Sequence, residues 1–581
     1  MKLYQENAMK KWKKTLTAAF LALTLTGVSG CSLFGSKEPT PAETEFAIRT
    51  YPPETTEQAP TTPKVTEGTT PDSKPVEPTV EITSEPTETS QVEPTQVEPT
   101  LPPEETTAEP GEPKKPKYIF LFIGDGMGVG HVQAASYYKA AEGGGKKYDP
   151  GKTSYAGTYL NFEQFPVVGS VTNYNSDSFI TDSAAAITAI TTGFKTSTDA
   201  IGVDPSGTER LETITEKVKK LLGYKVGVVS NANINHATPA GYYGHQTDRT
   251  MYYELGKDML ASGFDYFGGG SIRQPTGADG TLPDLYDLAA AQGYRVFRDN
   301  DAALAALTGD MGKVIITSQQ RAEGDAMKLR VDAQKGDADL AAYVEGGLKV
   351  MGDQEGFFYA IEGGLIDWAS HENDLGAVVR EVLDLEKAVG VAMDFYNAHP
   401  DETLILVTAD HETGGLGLGY SNMGYELYLN GLKKQDLSYW KYMRMVALEY
   451  RPNKTSWDTV LWEMRAHFGL TVSGTYQAGD DPKLVLNEEE VMQLNAAYLA
   501  SMQDARATLG TAAYESYGAY EPLAFTVTTL LGKKCGVKFS TIYHTAQPIP
   551  IYAIGAGAEE FSGVYDNTQI AVKLEKLLGI D

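Results

Sequence analysis

Five short, unbroken apolar runs, at 118–123, 226–229, 356–361, 403–407 and 549–554, constrain what this chain can fold into more than any other feature. A strand that faces water on one side alternates apolar and polar residues, so runs without alternation predict strands buried on both faces. Helical spacing lies between them, at 131–141, 211–222, 375–397 and 568–578. The alternation predicts an α/β fold of three layers, α/β/α, with a mostly parallel central sheet. Between 421 and 540 the pattern changes to helical stretches such as 487–509, which predicts a helical insertion or cap.

The N-terminal part follows other rules. Lys10, Lys11, Lys13 and Lys14 precede an apolar run over 16–28 that is too short to span a bilayer, as in a secretory leader. Val28-Ser29-Gly30-Cys31 resembles the lipobox of bacterial lipoproteins, so residues 1–30 are expected to be removed and Cys31 lipidated. Met9 offers a more usual start than Met1, because it excludes Glu6 from the leader. From 31 to 116 the chain is rich in Pro, Thr and Glu, with roughly 17 prolines and a charge near -11. It cannot bury enough apolar surface to offset its ordering entropy, so a disordered tether is expected, open to O-glycosylation. Residues 117–581 form the expected folded domain. The whole chain carries a formal net charge of -28 and two cysteines. That acidity speaks against a nucleic-acid partner, and two cysteines cannot build a Cys₄ zinc site.

Polar residues interrupt the sequence where the strands end, which is where open α/β sheets bind ligands. Asp125 follows the run at 118–123, Glu362 with Asp367 and His371 follows 356–361, and Asp410-His411 follows 403–407. Asp before Gly also suits a plain turn, and Asp-His-Glu a helix start. Asp367 and His371, four apart, fall on one helix face and can grip one ion. Asp410 and His411 suit a strand end that turns toward a second. Ligands of oxygen and nitrogen without sulfur fit Zn²⁺, or Mn²⁺ or Mg²⁺ where oxygen dominates. Ser183, after Asp182, opens the alanine-rich stretch at 184–186. A hydroxyl among the free amides of a helix start is a candidate nucleophile, although a plain N-cap has the same signature.

These residues stand in motifs that resemble the metal-dependent alkaline phosphatases. They are Gly124-Asp125-Gly126-Met127-Gly128, Thr181-Asp182-Ser183-Ala184-Ala185, His236-Ala237-Thr238-Pro239-Ala240 through Asp248-Arg249, Glu362-Gly363-Gly364, Ile366-Asp367-Trp368 through His371, 408–415 around Asp410-His411, and His544-Thr545. The resemblance runs from about Lys117 to Tyr420 and resumes near Thr541. It implies hydrolysis of small phosphate monoesters to alcohol and inorganic phosphate. Asp367, His371 and His544 would bind one zinc, and Asp410 and His411 a second. Asp125 would bridge to a third ion, usually magnesium, completed by Thr238 and Glu362. One zinc would activate Ser183 and the other stabilise the leaving alkoxide, roughly 4 Å apart. Arg249 would hold two phosphate oxygens, with Asp182 orienting it and Ser183. Attack would give a phosphoserine, which a zinc-bound hydroxide then hydrolyses.

His236 and Trp368 depart from branches that carry Asp and Lys beside the third metal. They leave open whether that ion is magnesium, and whether His236 ligates it or acts through water. His245 is expected beside the ligands, while His131, His399 and His467 are expected at the surface or in packing. The tyrosine pairs 242–243 and 252–253 are expected in the core or at a homodimer contact. The rival readings are a phosphodiesterase or sulfatase of the same superfamily, and an envelope lipoprotein that binds without turnover. The expected location is outside the cell, lipid-anchored to the membrane.

Overall fold

The computed structural model describes residues 114–142, 159–419, 423–503 and 517–581. The leader, Cys31 and the tether up to residue 113 lie outside the described residues. The strands are β1 (Tyr118–Gly124), β2 (Val167–Thr172), β3 (Lys225–Ser230), β4 (Tyr266–Gly269), β5 (Arg295–Phe297), β6 (Val314–Thr317), β7 (Phe357–Gly363), β8 (Thr403–Thr408), β9 (Glu412–Thr413), β10 (Leu416–Leu418), β11 (Thr471–Val472), β12 (Val485–Leu486), β13 (Val537–Phe539), β14 (His544–Thr545), β15 (Ile549–Gly555) and β16 (Gly563–Asp566). The helices that support the argument are α1 (Val129–Glu142), α2 (Ser183–Thr192), α3 (Tyr252–Ser262), α4 (Leu340–Met351), α5 (Leu365–His371), α6 (Leu375–Ala398), α7 (Trp457–Phe468), α8 (Glu488–Met502), α9 (Pro522–Lys534) and α10 (Thr568–Leu578).

Ten strands form one sheet in the order β16-β2-β15-β8-β1-β7-β3-β4-β6-β5. Every pairing from β8 across to β5 is parallel. β1, β7 and β8 are buried at every residue, as their unbroken apolar runs require when helices cover both faces. Neighbouring residues of β7 mark the two outer layers. Phe358 meets Tyr242 at 6.4 Å between ring centroids, while Tyr359 faces α4 and donates its hydroxyl to the Tyr343 carbonyl at 3.2 Å.

The run at 549–554 departs from the rest, since β15 lies antiparallel to both β8 and β2. The chain enters it from β14, only a few residues away, without the crossover a parallel neighbour needs. β2 is only partly buried and has no unbroken apolar run to announce it. The helix expected over 211–222 starts at Ile214 behind a Thr213/Glu216 capping box and loosens into a π-turn at Val218–Leu222. That expected over 487–509 is described over Glu488–Met502. Between 423 and 540, α7, α8 and α9 with the β11–β12 pair build a mostly helical annex. Asp374, at the start of α6, fastens it by accepting from the Gln435 side-chain amide at 2.7 Å and the Tyr439 N–H at 2.8 Å. Among the described residues no helix is long and apolar enough to cross a membrane.

The sheet accepts α4 closely because α4 carries Gly346 and Gly347. A Cβ on Gly347 would fall 2.0 Å from the Tyr359 hydroxyl and 2.7 Å from the Tyr266 ring, and both tyrosines are tied to the Tyr343 carbonyl. Gly→Ala in an exposed helix stabilises by about 1 kcal/mol. Gly347→Ala is expected to do the opposite and destabilise by about 1–3 kcal/mol, read as a lower urea midpoint.

Candidate active site

The carboxyl ends of β1, β7 and β8 lie side by side, and the residues just beyond them converge. Asp125 occupies the turn after β1, where Gly126 has φ +72° and a Cβ would fall 2.7 Å from the Thr413 hydroxyl. Only glycine allows the chain to turn this close to Thr413 and Asp367. Glu362 is near the end of β7, and α5 then presents Asp367 and His371, with His371 Nε2 3.3 Å from Asp367 Oδ2. After β8 come Asp410 and His411. β14 pairs antiparallel with β9, setting His544 opposite Thr413. Two groups of ligand atoms result, Asp367/His411/His544 and Asp125/Asp410/His411, each with its atoms within 4.8 Å of one another. His371 touches the first, its Nε2 3.2 Å from His544 Nε2.

The two histidines at that contact are oriented from behind. His371 Nδ1 donates to the Ile542 carbonyl at 2.6 Å, and His544 Nδ1 to the Thr181 carbonyl at 2.8 Å. With His371 deprotonated, each ring turns an Nε2 lone pair inward, and two such lone pairs 3.2 Å apart beside a carboxylate fit a bound cation. The carboxylates follow the same pattern. Asp125 Oδ2 accepts from Thr238, Glu362 Oε2 from Ser230, and Asp410 Oδ1 from the Gly126 and His411 N–H groups. Asp125 Oδ1, Glu362 Oε1 and Asp410 Oδ2 are buried without a hydrogen-bond partner. Oxygens held on one side and bare on the other fit metal ligation.

The electrostatics agree. Burial pushes the Asp125 carboxyl well above the usual range, and Asp410 and Asp367 add to it. Burial also lifts Glu362 to about 7. Burial acts the same way on Asp367 and Asp410, but it is outweighed by His371 at Asp367 and by His411 at Asp410, so both stay low. Burial would lower His371 and His411, yet Asp367 raises the one and Asp410 the other. Burial and the nearby His411 depress His544 to about 3. Carboxylates crowded in the interior and driven in part toward the protonated form fit a site where divalent cations would take the place of the protons.

Ser183 begins α2, with its hydroxyl 3.1 Å from His411 Nε2. Asp182 serves both readings of the sequence. As N-cap it accepts from the Ala184 and Ala185 N–H groups at 3.0 and 3.2 Å, and it also receives Arg249 Nη1 at 3.1 Å. Thr238 stands between Asp125 and the Glu362 side. His236 lies next to it, with its ring 5.7 Å from that of Trp368 and its Nδ1 buried and unpaired. Asp125, Asp182, Ser183, His236, Thr238, Arg249, Glu362, Asp367, Trp368, His371, Asp410, His411 and His544 thus gather around one end of the sheet.

His245 is the exception. Its ring bonds the Gly202 carbonyl and Glu216, so it pins a loop to the helical segment at 214–217 and touches no ligand. His131 is buried packing under the site, bonded to Ser370 at 3.0 Å. The tyrosines 242, 243, 252 and 253 are in the core. Two polar residues emerge that the sequence reading passed over. Ser230, which holds Glu362, ends β3 as the other polar residues end their strands. Thr413 donates to Asp367 Oδ1 at 2.5 Å and lies 3.2 Å from His411 Nδ1, so one hydroxyl orients a ligand of each group. Its signal was its place two residues after His411. Thr413→Val is expected to weaken metal retention about 10- to 100-fold with the fold intact, measured by metal content after graded chelation.

Comparison with known proteins agrees with this geometry. The family model for alkaline phosphatase matches residues 116–580. "Alkaline phosphatase 3" of Bacillus subtilis is 28% identical over 481 residues, covering 80% of this chain and 89% of that protein. The crystal structure of a cold-active alkaline phosphatase from Shewanella sp. is 26% identical with a TM-score of 0.62, covering 79% of this chain and 99% of that one. A mutant of the alkaline phosphatase TAB5, solved with Mg bound in its M3 site, is 23% identical with a TM-score of 0.53, covering 81% of this chain and 100% of that one. The chain belongs to the alkaline phosphatase family, the enzymes that hydrolyse phosphate monoesters.

Proposed function

We propose that the protein hydrolyses phosphate monoesters through a phosphoserine on Ser183, at a site that holds two zinc ions and a third ion of the magnesium type. The observation that carries the reading is Ser183 at a helix start, 3.1 Å from His411 Nε2 and beside carboxylate oxygens without partners. Asp367, His371 and His544 would hold one zinc, Asp410 and His411 the other, and Asp125, Thr238 and Glu362 the third ion. Bound there, the ions supply charge neutralisation for the phosphoryl group and for the attacking and leaving oxygens.

The chain's own groups do the rest. The Ser183 hydroxyl stands at the positive end of the α2 dipole, whose Ala184 and Ala185 N–H groups are capped by Asp182, and that end favours negative charge on oxygen and on phosphate. Arg249 offers a planar fork to two phosphate oxygens, and Asp182 keeps that fork aimed while capping α2. The Ser183 oxygen attacks phosphorus, the alcohol leaves, and water in a second in-line step releases inorganic phosphate and frees the serine. In the cell the enzyme would stand outside the membrane on a tether lipidated at Cys31, which mass spectrometry of the mature N-terminus tests.

Ser183→Ala is expected to lower kcat for an aryl phosphate on the order of 10³-fold or more while keeping the metal content. Near-normal turnover would remove Ser183 from the mechanism. Arg249→Ala should raise the inhibition constant for inorganic phosphate, and an unchanged constant would count against its role. The pH dependence has a definite sign. Asp367 raises the proton affinity of His371, and Asp410 that of His411, and protons compete with metal for the same nitrogens. Turnover should therefore fall on acidification together with metal loss, seen by dialysis at about pH 5 against about pH 8.

A further inference from the structure

We infer that Arg273 forms a second anion subsite beside the cleft, selecting monoesters whose alcohol carries a further phosphate; this rests on the phosphomonoesterase reading above. Arg273 follows β4, so it stands at the same end of the sheet as the ligands. Its main chain is clamped by the buried Asn235. The Arg273 N–H donates to Asn235 Oδ1 at 2.7 Å, and its carbonyl accepts from Asn235 Nδ2 at 3.0 Å. Asn235 precedes His236, so the clamp sets Arg273 against the segment that carries His236 and Thr238.

The side chain extends a wall. The guanidinium lies over the Tyr252 ring, 4.6 Å from its centroid, and the His236 ring lies 6.3 Å from that of Tyr252 and 5.7 Å from that of Trp368. A Cβ on Gly324 would stand 3.4 Å from the Trp368 ring and 3.6 Å from Arg273 Nη1, so these two side chains flank one point. The wall thus runs from Trp368, beside Asp367, through His236 and Tyr252 to Arg273.

Among the described residues the Arg273 guanidinium makes no ion pair, in a chain with 77 acidic against 49 basic residues. Stacking on Tyr252 fixes its plane and leaves the N–H fork free for an anion. A phosphate is the anion whose geometry that fork matches, and Arg249 already takes the scissile one.

The test compares butane-1,4-diol bisphosphate with n-butyl phosphate, using the metal-loaded enzyme and its Arg273→Gln variant. The side chain is only partly buried and the clamp is made by main chain, so the variant keeps the fold, checked by an unchanged melting temperature. Arg273→Gln should lower the ratio of kcat/KM for the bisphosphate to that for the monophosphate about tenfold, through KM of the bisphosphate. An unchanged ratio overturns the subsite even where both substrates slow equally, which is what general steering by positive charge would give. If the metal-loaded parent enzyme hydrolyses neither compound nor an aryl phosphate, the phosphomonoesterase reading itself is overturned, and this inference with it.

Discussion

Four carboxylates, Asp125, Glu362, Asp367 and Asp410, are held together inside the protein, and their mutual repulsion is the constraint on which the rest depends. Each is at most 6% exposed. A buried ion without compensation costs several kcal/mol, so the arrangement persists only if protons, imidazoles or cations offset the charge and the scaffold resists spreading. The scaffold is the parallel block of the sheet. β1 is paired along its length with β7 on one side and with β8 on the other, and strands buried on both faces cannot yield without exposing apolar core. The imidazoles compensate in part, since His371 and His411 hold Asp367 and Asp410 ionised. The unpartnered oxygens mark the remaining deficit.

The ligands come from two parts of the chain, and a small device joins them. The β9–β14 pair brings residue 544 against 413, and the Ile542 and Thr181 carbonyls turn the two imidazoles inward. Glu412 strengthens the junction, accepting from the Gly415 and Leu416 N–H groups and from the Thr545 hydroxyl. The entry from β14 is also why β15 runs against its neighbours. The large parallel sheet and the small antiparallel pair thus hold one centre from two sides.

Net charge and substrate charge are reconciled locally. The chain as a whole repels anions, but the α2 N-terminus and Arg249 stand together at the carboxyl end of the sheet, and divalent cations among the carboxylates would add to their positive potential. Asp182 keeps Arg249 from swinging out without cancelling its reach, because the same carboxylate also caps α2 and shares its charge with two backbone amides.

Much of this was legible in the sequence, for a physical reason. Burial on both faces writes itself as unbroken apolar runs, and chemistry at strand ends writes itself as Asp, Glu and His just after them. The Asp367–His371 spacing and Ser183 at the start of an alanine-rich helix are likewise local patterns. His544 has no such pattern and was placed by family resemblance alone. Thr413 as a link between two ligands, the antiparallel course of β15 and the bare guanidinium of Arg273 were not legible at all. Each depends on residues tens to hundreds of positions apart meeting in space. The sequence by itself determined which strands are buried and which residues stand at their ends, because helix and strand periodicity act over a few residues. Only the tertiary structure decided which oxygens and nitrogens are left unpaired and face one another, because hydrogen-bond satisfaction is a property of the assembled interior.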